Sequence, residues 1–306
     1  MQPTPRPASP PAPLSQPPTP SVQKTPFWTR PSVRASTMVL AFAALMIITN
    51  SAASALGSPA AALLIGPALG VLVLWLYSAA VRRIEQRPVI ELARPTAARR
   101  LLLGTLGGLT LAVVSIGLIA AFGGYEIVGW GTLAGALTVV GMMFAVAVAE
   151  EVLFRGVIFR LVQHRWGTWM TLAASALLFG LVHLVNPGAT LWGALTLAVE
   201  AGLMLGAAYV ATGSLWLPIG LHLGWNITTV AIFGTIGSGG DAREALVEAV
   251  TPGPVWLTGG SFGPEASLIS VAVCSIATVL LLVSAHRNGR ITRPQKPVST
   301  SRTAAR

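Results

Sequence analysis

The sequence predicts an all-α polytopic membrane protein of about eight transmembrane helices. Three observations predict it. Of 306 residues, 53% are hydrophobic and only 10% charged, whereas a soluble domain is about 25% charged; the mean hydropathy is +0.71. Apolar runs of about 20 residues, the length that crosses a bilayer, recur along the chain. The basic residues gather in alternate connections between those runs, as orientation in a membrane demands.

In order, residues 1–36 hold 11 of the 22 prolines, four basic residues (Arg6, Lys24, Arg30, Arg34) and no acid. Such a segment buries too little apolar surface to fold alone, so a disordered Pro-rich cytoplasmic tail is expected. It has no short apolar run with a small-residue cleavage site near its start, which argues against a secretory signal peptide. The transmembrane domain is expected over 37–285, with spans near 37–56, 59–81, 101–123, 131–154, 168–185, 191–211, 215–235 and 264–285. Gly and Pro punctuate the breaks at Gly57–Pro59, Gly123–Gly124, Asn186–Gly188 and Thr212–Gly213. The stretch from Gly156 to His164 is amphipathic rather than apolar and continues the fourth helix. A basic cytoplasmic tail fills 286–306.

The formal net charge is +10, which raises nucleic acid, an anionic surface and membrane topology as explanations. Position decides. The 82–100 connection carries six arginines against Glu85 and Glu91, and Arg155, Arg160 and Arg165 follow the fourth span. The 236–265 connection is acidic, with Asp241, Glu244, Glu248 and Glu265 against Arg243. Eight spans with this alternation put both termini in the cytoplasm. No basic stripe interleaves with stacking aromatics, so nucleic acid is not expected as a partner. Cys274 is the single cysteine; it makes an internal disulfide impossible and reads as a small core residue.

Ionisable residues inside spans are costly and point to function. Glu150 and Glu151 end the fourth run. Arg155, four residues after Glu151, shares its helix face in the favourable acid-before-base order. Glu150 points about 100° away. His183 follows Phe179 by four, and Asn226 follows His222 by four. Taken singly, each has a structural explanation: a helix-end ion pair, a hydrogen-bonded core histidine, a polar contact between helices. Glu200 in the sixth span is expected to partner Arg155 or a histidine, or to line a cavity. His164 and His286 read as solvated.

Together they imply more. If the fourth and fifth spans form an antiparallel hairpin turning at Trp166–Gly167, Glu150 and His183 lie at equal height. A carboxylate, two imidazoles and an amide would then share one intramembrane pocket. That set suits hydrolysis, with a base for water and donors for an oxyanion.

Glu-Glu-x-x-x-Arg (Glu150, Glu151, Arg155), Phe-x-x-x-His (Phe179, His183) and His-x-x-x-Asn (His222, Asn226), in that order on separate helices, resemble the CPBP family. These are the type II CAAX prenyl endopeptidases and the Abi, bacteriocin-processing or immunity, proteins. The resemblance covers about residues 140–235. It implies an intramembrane endopeptidase in which Glu150 activates water, His183 helps to hold it, and His222 with Asn226 stabilises the oxyanion. Glu151, Arg155, Phe179 and Glu200 would support them. Zinc held by Glu150, His183 and His222 and a metal-free glutamate mechanism are both compatible with it; no His-Glu-x-x-His is present. The expected partners are membrane lipid and a membrane-associated peptide or protein substrate, with the site opening towards the cytoplasmic half. High Ala and Arg usage suggests a bacterial chain, for which a lipid-anchored or membrane-embedded peptide fits better than a prenylated one. A non-catalytic scaffold or bacteriocin-immunity protein on the same fold is the alternative. A transporter is a third reading, disfavoured because no inverted repeat is found.

Overall fold

The computed structural model describes residues 31–294. Most of the expected proline-rich tail, and the end of the basic one, lie outside the described residues, while Pro31–Ser36 form the first turns of helix α1 (Pro31–Ser54). The molecule is an all-α membrane protein. Among the described residues, six helical segments are long and apolar enough to cross a bilayer.

After α1, Ser58 caps α2 (Pro59–Ala80), whose first residue is the proline that a helix start tolerates. Then come α3 (Ala97–Ala121) and α4 (Leu133–Glu151), the latter capped by Thr132. From Leu133 helix runs with little interruption to Val185. It takes in α5 (Arg160–Val182) and breaks at Gly167, where φ is +71°. Only glycine adopts that backbone without strain, and this is the turn expected at Trp166–Gly167. Helices α6 (Leu191–Leu197) and α7 (Leu203–Thr212) form one span. Helix α8 (Trp216–Asn226) extends through a π-helical stretch to Ile232 and is shorter than the expected 215–235. The short α9 (Val255–Thr258) precedes the last span, α10 (Leu268–Arg287).

Two strands were not expected. Strand β1 (Glu126–Trp130) pairs antiparallel with β2 (Val247–Val250), joining the two acidic connections. Residues 126–130, Glu-Ile-Val-Gly-Trp, are rich in strand formers, but five residues between two spans gave no periodicity to read.

Packing inverts the soluble pattern. Leu40, Ile48, Leu64, Leu72, Trp75, Leu102, Ile276 and Leu280 are exposed on the outer helices, as lipid-facing residues are. Inside, small residues let backbones approach. Gly104 and Gly108 on α3 face Gly220 and Gly224 on α8. A Cβ on Gly220 would lie 2.3 Å from the Leu101 carbonyl oxygen, and one on Gly104 would lie 2.4 Å from that of Leu217. The α2–α4 crossing is as close, with Gly66 against Gly141. These two contacts hold α8 and α4, which carry the site.

The 82–100 connection is more than a charged loop. Arg87 pairs with Glu85 at 2.8 Å and with Glu91 at 2.7 Å, and Arg160 reaches Glu85. The Tyr77 hydroxyl donates to Glu91 and also lies 2.9 Å from the Gly156 carbonyl oxygen, so its one proton faces two acceptors. The network anchors this connection to the helix that follows Glu151 and Arg155.

Candidate active site

The side chains singled out from the sequence converge between α4, α5 and α8. Glu150 is 6% exposed and accepts a 3.0 Å hydrogen bond at Oε1 from Asn50 Nδ2 of α1. Its Oε2 faces both histidines: His183 Nε2 and His222 Nε2 each lie 3.9 Å away. The hairpin about Gly167 thus brings residues 150 and 183 level, and α8 adds the second ring.

Each ring is oriented through its other nitrogen. His183 Nδ1 lies 2.7 Å from the Phe179 carbonyl oxygen, one turn back. A carbonyl only accepts, so Nδ1 donates and Nε2 is left towards Glu150. His222 Nδ1 lies 3.1 Å from Glu151 Oε1. The same oxygen accepts from Arg155 Nη1 at 2.8 Å, while Arg155 Nη2 donates to the Gly202 carbonyl at 3.1 Å. Glu151 and Arg155 are fully buried. Phe179 packs beneath: the Arg155 guanidinium sits 4.7 Å over its ring, and the rings of His183 and His222 lie 5.0 and 6.1 Å from it. Glu151, Arg155 and Phe179 therefore fix the two imidazoles that face Glu150. Among the described residues Glu151 Oε2 and Arg155 Nε have no hydrogen-bond partner, so the arrangement sacrifices local satisfaction for position.

The backbone is adapted at the same points. Helix α4 passes into a π-helical stretch, Val152–Phe159, directly after the two glutamates. A second such stretch, Ala198–Gly202, holds Glu200, and a third, Ile227–Ile232, follows Asn226. Turns of this kind are rare and recur at functional sites.

Of the roles the sequence left open for Glu200, the structure shows the cavity-lining one: it borders a small cavity with Phe179, His222 and Asn226. It touches neither Arg155 nor a histidine through a hydrogen bond; its Oε1 accepts from Cys274 Sγ at 3.0 Å. Both Arg155 terminal nitrogens are engaged, by Glu151 and by the Gly202 carbonyl, while Cys274 on α10 is the donor to Glu200. Cys274 is accordingly a buried donor as well as a small core residue. Asn226 Nδ2 contacts Met143 Sδ at 3.6 Å and lines the same cavity as Glu150, His183 and His222.

That cavity has a volume of about 450 Å³. Its wall includes Asn50, Asn186 and Ser238, none of which the sequence reading singled out. Asn50 left a trace, a lone amide in the apolar run Leu-Met-Ile-Ile-Thr-Asn. Glu265 was also missed as a buried residue: it lies under α8, accepting from Trp225 Nε1 at 3.3 Å. Ser54, Asp241 and Arg243 stand at the mouth. The cavity therefore opens at the end of the bundle that carries the acidic connections, not at the basic end where a cytoplasmic opening would lie.

Among the described residues no three His, Cys, Asp or Glu side chains are spaced to hold a metal ion. Zinc about 2.0–2.1 Å from each ligand in a tetrahedron sets neighbouring donors about 3.3–3.4 Å apart. The 3.9 Å separations around Glu150 Oε2 are wider than that. A water about 2.8 Å from the carboxylate and from a ring nitrogen spans them at an angle of about 90°.

Residues 131–228 match the model of a family described as type II CAAX prenyl endopeptidase, Rce1-like. The match covers about a third of the chain and takes in all three motifs. The Rce1-like region contains Glu150, Glu151, Arg155, Phe179, His183, Glu200, His222 and Asn226; Asn50, Glu265 and Cys274 lie outside it. The matched family is one of endopeptidases, and the match together with the long apolar helices supports a multi-pass membrane protein. No curated protein and no solved structure matches the chain.

Proposed function

We propose that this Rce1-like chain is an intramembrane endopeptidase that hydrolyses a peptide bond with a water activated by Glu150. The observation that carries the reading is the convergence of two imidazole nitrogens on one oxygen of a buried carboxylate, at the wall of an open cavity of about 450 Å³.

The steps follow from the geometry. A water held between Glu150 Oε2 and His183 Nε2 gives its proton to Glu150 and attacks the scissile carbonyl. The carbonyl oxygen becomes an oxyanion, which accepts from Asn226 Nδ2 and from His222 Nε2. A ring that donates from Nε2 while Nδ1 donates to Glu151 carries a positive charge, and Glu151 offsets it. Glu150 then returns the proton to the leaving amine. Arg155 holds Glu151, and Phe179 holds the ring planes. No metal enters this scheme, because the 3.9 Å separations suit a water better than a tetrahedral zinc.

The test is hydrolysis of a fluorogenic peptide library by the purified protein in lipid nanodiscs. Loss of a general base costs about 10²–10⁴-fold, so Glu150→Gln should be inactive while remaining folded. Chelation should leave the wild-type rate unchanged. Full activity in Glu150→Gln would refute the role of Glu150, and loss of activity on chelation with recovery on adding zinc would refute the metal-free scheme.

A further inference from the structure

The two ends of the bundle differ in charge, and the cavity opens at only one of them. One end is tied together by the Leu215 N–H donating to the Glu91 carbonyl at 2.9 Å and that of Thr168 donating to Thr292 at 3.0 Å. It carries the six arginines of the 82–100 connection, Arg160 and Arg165 before the Gly167 break, Arg287 at the end of α10, and Arg290 and Arg293 after it, against Glu85 and Glu91. The opposite end is tied by the β1–β2 ribbon, by the Gly188 N–H donating to the Gly239 carbonyl at 2.8 Å, and by Arg243 reaching the Ser54 carbonyl at 3.5 Å. It carries Glu126, Asp241, Glu244 and Glu248 against Arg243. The mouth residues Ser54, Asn186, Asp241 and Arg243 all belong to this acidic end, and among the described residues none from the basic connections lines the cavity.

Arginine-rich connections stay in the cytoplasm during insertion. Applied to these two ends, that rule turns the mouth outward. We propose that the Glu150 cavity opens to the extracytoplasmic side, and that its substrate is a membrane-anchored peptide whose scissile bond lies in or just above the outer half of the bilayer. The cavity wall supports the lipid-side approach. Ile47 of α1 is 60% exposed and Val185, just beyond α5, is 86% exposed, yet both line the cavity. Two apolar residues that face lipid and cavity at once frame a lateral slot, through which an extended strand reaches Glu150 without leaving the membrane. A cytoplasmic lipidated C-terminus would meet the closed, arginine-rich end instead. The substrate class rests on the protease reading; the orientation does not.

The test uses the full chain. Cys274 is fully buried, so single probes can be added with it in place. Ser54→Cys, Asp241→Cys and Arg290→Cys are expressed in cells, and spheroplasts are treated with a membrane-impermeant maleimide. Labelling of Ser54→Cys and Asp241→Cys in intact spheroplasts, with Arg290→Cys labelled only after permeabilisation, is the expected result; the reverse pattern overturns the proposal. In purified protein, a bulky maleimide at Asp241→Cys should abolish peptide hydrolysis and the same adduct at Arg290→Cys should not. Equal rates with both adducts overturn the mouth. No hydrolysis by the unlabelled protein overturns the protease reading and the substrate with it, while the labelling pattern alone decides orientation.

Discussion

Removing Arg155 should unfold the protein more readily than removing Arg155 and Glu151 together. Arg155 is 0% exposed and is held by the 2.8 Å pair with Glu151, the 3.1 Å bond to the Gly202 carbonyl, and cation–π contacts 4.7 Å from the Phe179 ring and 5.9 Å from that of Phe154. In Arg155→Met the aliphatic volume remains but Glu151, also 0% exposed, loses its guanidinium. Stranding one member of a buried pair costs about 3–5 kcal/mol, roughly 150- to 5,000-fold in the folding equilibrium. Glu151→Gln should cost a similar amount by stranding Arg155. The double variant replaces both charges, and such replacements are close to neutral. The coupling between the two sites should therefore exceed about 3 kcal/mol. Equilibrium unfolding in mixed micelles, followed through the nine tryptophans, measures all four corners of the cycle. Activity should separate from stability, because the double variant regains its fold but leaves His222 without a carboxylate. Additive losses, or an Arg155→Met variant as stable as the wild type, would refute the reasoning.

Other consequences can be measured directly. Asn50→Ala removes the 3.0 Å bond to Glu150; hydrogen bonds to charged groups contribute about 1.5–3 kcal/mol, so kcat should fall by one to two orders of magnitude in steady-state peptide assays with KM little changed. Gly220→Leu forces a Cβ to within 2.3 Å of the Leu101 carbonyl oxygen. Overpacking of this kind costs about 1–3 kcal/mol or more, and size-exclusion chromatography in detergent should show less folded monomer. Cys274→Val leaves Glu200 Oε1 buried without a donor, a loss of about 1–3 kcal/mol in the same unfolding assay, whereas Cys274→Ser should recover much of it.

Much of the site was legible because membrane helices make polar residues conspicuous. Glu150, His183, His222 and Asn226 stand out from apolar runs, and the Gly167 turn fixed the register that pairs residue 150 with residue 183. The Glu151–Arg155 spacing foretold their ion pair. What escaped was of two kinds. Asn50 and Glu265 needed knowledge of which helix lies beside which, and that is decided by glycine contacts between helices rather than by any local pattern. The Cys274 donor to Glu200 escaped for the same reason, since the two residues lie on different helices. The β1–β2 ribbon was too short to leave a periodicity. The direction of the cavity could not follow from charge alone, since charge orients the helices but not the space between them.

One feature of α1 has a consequence for how such proteins diversify. Asn50 belongs to a helix outside the stretch that matches the Rce1-like family, yet it supplies the one hydrogen bond from α1 to the central carboxylate. The helix bearing it also forms one side of the slot at Ile47. Substitutions in α1 can therefore change both the hold on the Glu150 carboxylate and the width of its doorway without touching a single motif residue. Selectivity can drift in the wall while the chemistry stays fixed in the frame.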